Sequence, residues 1–198
     1  MCESLKFHAE LAESARAPTE FRLLNNSDSI MVGCKNDNGQ GYRVLLSLLD
    51  QSPNGGTPLC RHINEVVQKI CILEPQLRAN RQRAVLVIAT DGESSDGDVA
   101  QAMKPLRSLP VWVVIRLCTG EERIVNYCNN IDKDLEVNMD IIDDFLSESQ
   151  DIRRVNGWFT YGEPLHRLRE FGIVMKDLDL IDESKLSADQ MRNVVAML

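Results

Sequence analysis

Hydrophobic positions along the chain change their period several times, and each change marks an element. Leu5, His8, Leu11 and Ala12 or Ala15 fall on one stripe, which predicts a helix over residues 4–16 that Pro18 stops. Glu20-Phe21-Arg22-Leu23-Leu24-Asn25 and Ser29-Ile30-Met31-Val32-Gly33 read as two short strands. After the polar turn Asn36–Gly41, a helix over about 42–50 carries Val44, Leu45, Leu48 and Leu49 as its apolar positions. Ser52-Pro53-Asn54-Gly55-Gly56 is the strongest loop signal in the chain. Thr57 then stands as an N-cap and Pro58 as the first helical residue, where a missing N–H costs nothing. The helix to about Leu77 places Leu59, Ile63, Val66, Val67 and Ile70 at spacings of three and four, so its stripe must pack on a sheet.

Two later runs lack any alternation. Ala84-Val85-Leu86-Val87-Ile88-Ala89 and Val111-Trp112-Val113-Val114-Ile115 are apolar on both faces, which predicts central strands of a parallel sheet covered by helices. A helix over about 97–107 separates them. Thr119 and Glu122 form a capping box that opens a helix to about Asn129. Leu135, Val137 and Met139 alternate with polar residues as a strand nearer an edge does, and a helix near 141–149 turns Ile142, Phe145 and Leu146 inward. This rhythm predicts an α/β domain with a doubly wound, mostly parallel sheet flanked by helices over residues 1–151. From 152 to 198 the texture changes to a C-terminal helical extension packed on that domain. It has a helix near 163–171 and a last helix opened by the capping box Ser187-x-x-Gln190. There is no internal repeat and no low-complexity linker.

Composition narrows the class. Among 198 residues, 22 basic against 30 acidic side chains give a net charge of −8, with no Lys/Arg run, which excludes nucleic acid as a partner. The six cysteines contain no C-x-x-C pair, and several lie among apolar residues, as in Lys69-Ile70-Cys71-Ile72-Leu73. Free buried thiols are therefore expected rather than a disulfide framework or a zinc site. Met1-Cys2-Glu3-Ser4-Leu5-Lys6 is no signal peptide, and no apolar run approaches the ~18 residues of a membrane span. A cytoplasmic protein without membrane attachment is expected, in which the glycosylation pattern Asn25-Asn26-Ser27 has no use.

In an open parallel sheet, ligands bind outside the carboxyl ends of the strands. Two loops present oxygen ligands in such places: Gly55-Gly56-Thr57-Pro58-Leu59 at a helix start, and Thr90-Asp91-Gly92-Glu93 just past a buried strand. A hydroxyl with a carboxylate is the donor set a hard cation such as Mg²⁺ takes, with Mn²⁺ or Ca²⁺ as substitutes.

The pair Gly56-Thr57-Pro58-Leu59 and Ala89-Thr90-Asp91-Gly92-Glu93 resembles the second and third loops of the metal-ion-dependent adhesion site of von Willebrand factor A (vWA) domains. Phe21-Arg22-Leu23-Leu24-Asn25 is similar to that family's second strand, and the resemblance covers about residues 4–145. The segment Tyr161–Gly172 is similar to an extension of vWA proteins from unicellular eukaryotes and fungi. The resemblance implies a protein-binding module rather than an enzyme, in which a partner's Asp or Glu completes the metal shell. Thr57 would be the loop-two ligand and Asp91 the loop-three ligand, the latter acting through water. The family's first loop, Asp-x-Ser-x-Ser, has no counterpart here, so the metal site is expected to be weak or empty. The same comparison leaves the sheet without its first, central strand, which the family places beside the strand at 84–89. A start of the chain inside the domain, a strand supplied by a partner and a degenerate module all fit that departure, the first of them best.

Two other functions remain open: a metal-independent scaffold, and an enzyme using the cleft around Asp91 and Glu93. Asp132-x-Asp134-x-Glu136 and the acidic stretch Asp177–Asp182 lack the glycine of a calcium loop and read as solvated turns, and Asp140, Asp143 and Asp144 as a wet helix face. His8, His62 and His166 have no metal-ligand spacing, with His62 placed on a helix surface or in the core. Cys60 and His62 point apart on their helix. Gly39-x-Gly41 is no dinucleotide fingerprint, and no phosphate loop exists.

Overall fold

The computed structural model describes residues 2–26, 28–51, 55–119, 121–135, 138–173 and 175–197. Expectations resting on Met1, Ser27, Ser52-Pro53-Asn54, Gly120, Glu136 and Val137 lie outside those residues, as do those on the side chains of Cys2, Glu122, Asp132 and Asp134. The protein mixes helices and strands, with a three-stranded parallel sheet and a separate two-stranded one. It divides into two compact units, Met1–Gln68 with Glu93–Met103 and Lys69–Gly92 with Lys104–Leu198.

In the first unit, α1 (Cys2–Ala15) is followed by an antiparallel hairpin of β1 (Thr19–Arg22) and β2 (Ser29–Val32), with Thr19 opposite Val32 and Arg22 opposite Ser29. Next come α2 (Gln40–Leu49), the start of α3 (Leu59–Ala79) and the short α4 (Val99–Met103). Phe21, Ile30, Val32 and Leu45 form the core with Ala9 and Ala12 of α1. The expected stripe holds in part: Ala12 is buried and Leu5 packs against this core, while Leu11 is exposed and the buried line runs through Ser4 and Ala9 instead. Small side chains let the hairpin approach the helix axis, and bulkier ones on that line would hold it off. Gly41 shows how close the backbones come, because a Cβ there would lie 1.8 Å from the Met31 carbonyl oxygen. α1 ends in a Schellman motif: Ala17 N–H reaches Ala12 O at 3.0 Å and Arg16 N–H reaches Glu13 O at 3.3 Å, with Arg16 left-handed at φ 52°.

The stripe expected of α3 is present, with Leu59, Ile63, Val67 and Ile70 buried. Its later turns are exposed: Ile72 is 79% accessible, and Cys71 lies at the surface rather than buried as its apolar neighbours suggested. Pro75 sits inside the helix, where it removes one backbone bond without ending it. The C-terminus repeats the Schellman arrangement, with Gln82 N–H on Leu77 O at 2.8 Å and Arg81 left-handed at φ 54°.

In the second unit β3 (Ala84–Thr90), β4 (Val111–Leu117) and β5 (Met139–Ile142) form the parallel sheet in the order β3-β4-β5. Ala84 pairs with Val111, Thr90 with Leu117, and Val113 with Met139. Burial is almost complete along β4 and only alternating along β3, where Val85 and Val87 are 46% and 38% accessible. Contrary to the expectation from its unbroken apolar run, β3 is an edge strand of its sheet among the described residues. Between β3 and β4 the chain passes through a 3-10 turn (Lys104–Ser108).

The expected strand through Leu135, Val137 and Met139 is corrected as well. Leu135 ends α5 (Glu122–Leu135), and the strand is Met139–Ile142. The helix expected near 141–149 is α6 (Phe145–Val155), with Ile142 buried in the strand before it and Leu146 exposed. Asp144 explains the shift, because its carboxylate caps α6 by accepting from Leu146 and Ser147 N–H at 2.9 and 3.2 Å.

α7 (Glu163–Glu170), α8 (Lys176–Asp179) and α9 (Ala188–Met197) complete this unit. Tyr161, Leu165, Leu178, Ile181, Leu186 and Val194 gather with Ile152 and Phe145 of α6 in one apolar cluster. Ser187 and Gln190 form the expected capping box, with reciprocal bonds of 2.9 and 3.3 Å. Gly172, at φ +79°, lies over the sheet, and a Cβ there would stand 2.6 Å from Val85 Cγ1.

Candidate functional site

Thr57 belongs to the first unit and lies in the loop before α3, half-buried. The loop is pinned by its backbone. Thr57 N–H donates to Ser95 Oγ at 3.0 Å, and the Thr57 carbonyl accepts from Ser95 N–H at 2.8 Å and from the Ser94 hydroxyl at 3.4 Å. At the start of α3, Leu59 N–H donates to the Thr57 carbonyl at 2.8 Å, and the next two N–H groups go elsewhere. Asp96 takes them, accepting from Cys60 N–H at 3.0 Å and Arg61 N–H at 2.9 Å. The helix begins at Leu59, one residue later than Pro58, with a cap from a residue more than thirty positions downstream. Burial acts against the Asp96 charge, but the Ser94 hydroxyl and the N–H groups of Arg61 and Cys60 hold its carboxyl below the usual carboxylate range.

Asp91 belongs to the second unit and is exposed, directly after Thr90 at the carboxyl end of β3. The Thr90 hydroxyl fastens this turn, donating to Gly92 O at 3.0 Å and accepting from Gly92 N–H at 3.3 Å. The residues after Asp91 in the chain, Ser94 to Asp96, are those bonded to the Thr57 loop and to α3. Asp91 by itself supplies one carboxylate, one of the roughly six positions an octahedral magnesium fills. Among the described residues no group of three or more His, Cys, Asp or Glu side chains is arranged to hold a metal.

The second unit holds a cluster of buried charges where the sequence pattern predicts solvated acids. Asp140 is 4% accessible on β5, not on a wet helix face, and its two oxygens receive Arg169 Nη2 at 2.8 Å and Nε at 3.2 Å. Arg169 Nη1 donates to Glu148 Oε2 at 2.8 Å, and Nη2 stands 3.6 Å from Asp182 Oδ1, an ion-pair separation too long for a hydrogen bond. Arg169 is 1% accessible; burial opposes its charge, but Asp140 and Glu148 hold its pKa well above the ordinary value. Burial raises Glu148 against the pull of Arg169. Burial also raises Asp143, which further corrects its placement on a wet face.

Asp179 and Asp182, read as part of a solvated acidic turn, are largely buried. Burial first, then the charge of Asp140 and a hydrogen bond to it, push Asp179 up to about 8. Burial and the charge of Glu148 push Asp182 up to about 7. Beside them Glu170 is fully buried and pairs with Arg116, and with Arg167 at 3.0 Å. The one legible sign of this cluster was Arg169 itself, on the buried face of a short helix between Leu165 and Gly172.

Two of the three histidines, His62 and His166, are buried. His62 is 7% accessible, a core histidine with Nε2 3.0 Å from Leu24 O. His166 is 1% accessible with Nδ1 3.0 Å from the Tyr161 hydroxyl, and burial holds its pKa down to about 4. Cys34, Cys60, Cys71, Cys118 and Cys128 are free thiols. Burial raises the Cys60 thiol and pushes Cys128 up to about 11, so neither is an activated nucleophile. No described helix is long and apolar enough to cross a membrane. No protein-family model, curated protein or solved structure matches the chain.

Proposed function

We propose that the chain is a cytoplasmic protein-binding module of the vWA type, with a doubly wound sheet and a reduced metal site at Asp91. The observation that carries the reading is the placement of Asp91, exposed at the carboxyl end of a parallel strand on a turn fastened by Thr90. That end of a parallel sheet is where ligands of open α/β domains bind. The three-stranded parallel sheet with its helices also supports it. A bound Mg²⁺ or Mn²⁺ would supply a Lewis-acidic centre for a partner's carboxylate. Asp91 would offer it a carboxylate, with the partner and water filling the rest.

Binding of Mn²⁺ to the full chain, followed by electron paramagnetic resonance with and without a glutamate-containing peptide, tests this. Weak binding that the peptide tightens, and that Asp91→Ala abolishes, is the expected result. Mn²⁺ binding indifferent to that substitution would remove the proposed site. A metal-independent scaffold is the second reading, favoured by the missing third ligand group among the described residues. Association with a partner protein that survives both EDTA and Asp91→Ala would establish it instead.

A further inference from the structure

The carboxylates around Arg169 outnumber the cation that faces them. A cavity of about 140 Å³ in the second unit has seven Asp or Glu among its eleven lining residues and no Lys, Arg or His. β5 contributes Asp140, the following loop Asp143, and α6 Glu148 and Asp151. The segment from α8 onward contributes Asp179, Asp182 and Glu183. From α7, Arg169 bonds Asp140 and Glu148 and lies near Asp182. Arg116 of β4 pairs with Glu170 and acts on Asp143, and the Tyr161 hydroxyl is engaged with His166. One guanidinium thus faces Asp140, Glu148, Asp179 and Asp182. Keeping all four ionised away from water costs more than protonating some of them.

We propose that the segment Lys176–Leu186 is a proton-held latch: Asp179 and Asp182 in their neutral form seat it against Asp140, Glu148 and Arg169, and their ionisation frees it. In its neutral form Asp179 no longer opposes the Asp140 carboxylate, whose charge, after burial, is what raises it. This inference is independent of the function proposed above. The segment has uncharged anchors too. Asn156 Nδ2 donates to Ile181 O at 2.7 Å and Ser184 O at 2.8 Å, Leu186 N–H donates to Asn156 Oδ1 at 3.0 Å, and Leu178, Ile181 and Leu186 sit in the apolar cluster. These contacts do not titrate, so opening is local and reversible. Acids whose folded pKa is raised bind protons the unfolded segment has lost, so closure weakens as pH rises through 7 and 8. The latch holds in acid and opens in mild alkali.

Hydrogen exchange of the full chain, corrected for the intrinsic pH dependence of exchange, tests the latch. Protection of residues 177–186 should fall about tenfold or more between pH 6 and pH 9, while β4 stays protected. Asp179→Asn with Asp182→Asn imitates the neutral carboxyls, and its protection should be level over that range. Equal protection of the wild type at both pH values would overturn the proposal, as would the same loss in the double variant. Full recovery of the wild type at pH 9 on adding 5 mM Mg²⁺ or Ca²⁺ would also overturn it, because a cation rather than a proton would be the compensating charge. Should the double variant not fold, carbon-13 titration of the wild-type carboxyls decides. Asp179 and Asp182 titrating near neutral pH uphold the latch, and both titrating below pH 5 refute it.

Discussion

Replacing Arg169 by leucine isolates the energetics of the buried charge cluster. The guanidinium is 1% accessible and makes bonds of 2.8, 3.2 and 2.8 Å to carboxylates that are themselves 5% and 3% accessible. Leucine fills much of the volume but leaves Asp140 and Glu148 without their cation. Breaking a buried pair from one side costs about 3–5 kcal/mol, a large share of the roughly 5–15 kcal/mol that holds a domain folded. The loss should depend on pH in a defined direction. Without Arg169, Glu148, which burial already raises, titrates higher in the folded state than in the unfolded one, so the folded variant takes up a proton as pH falls. Urea unfolding of the full chain, followed by far-ultraviolet circular dichroism, should show the whole deficit at pH 8 and a clearly smaller one near pH 5. Adding Asp140→Asn and Glu148→Gln to Arg169→Leu should recover much of it, because no ion is then left unpaired. A deficit under about 1 kcal/mol at pH 8, or one identical at both pH values, would refute the account of the cluster.

Asp96→Ala should destabilise the protein by about 1 kcal/mol through loss of the cap on α3, read as a lowered thermal midpoint. Because its carboxyl is held below the usual range, that contribution is present above the unfolded pKa and fades as pH falls through the lowered folded value. Gly172→Ala combines a left-handed φ of +79° with a Cβ 2.6 Å from Val85 Cγ1, and should cost about 1–3 kcal/mol in denaturant unfolding. Arg81→Gly should instead stabilise by up to about 1 kcal/mol, since glycine adopts the φ of 54° at the end of α3 without strain. The ring of His166 should stay neutral down to about pH 4, with its Cε1 resonance unmoved through pH 6.5 in a titration followed by nuclear magnetic resonance.

Local patterns in this chain determined local structure. The spacing of Leu59, Ile63, Val67 and Ile70 sufficed for α3, and the Ser187-x-x-Gln190 box for the start of α9, because each concerns groups within a turn or two of one another. The run Val111–Ile115 likewise specified a strand buried on both faces. The run Ala84–Ala89 has the same texture, yet among the described residues β3 lies at the edge of its sheet, because strand order is decided by partners far away in the chain. The acids illustrate the same division. Asp140, Asp179 and Asp182 look like solvated surface in sequence, and only the approach of Arg169 from α7 makes their burial tolerable. Asp96 took the cap that Thr57 was placed to supply, since orphan N–H groups bond whichever oxygen the fold brings nearest. Helix registers and turn chemistry are written into neighbouring residues. Edges, caps borrowed from distant loops and the charge state of buried acids depend on which segments meet.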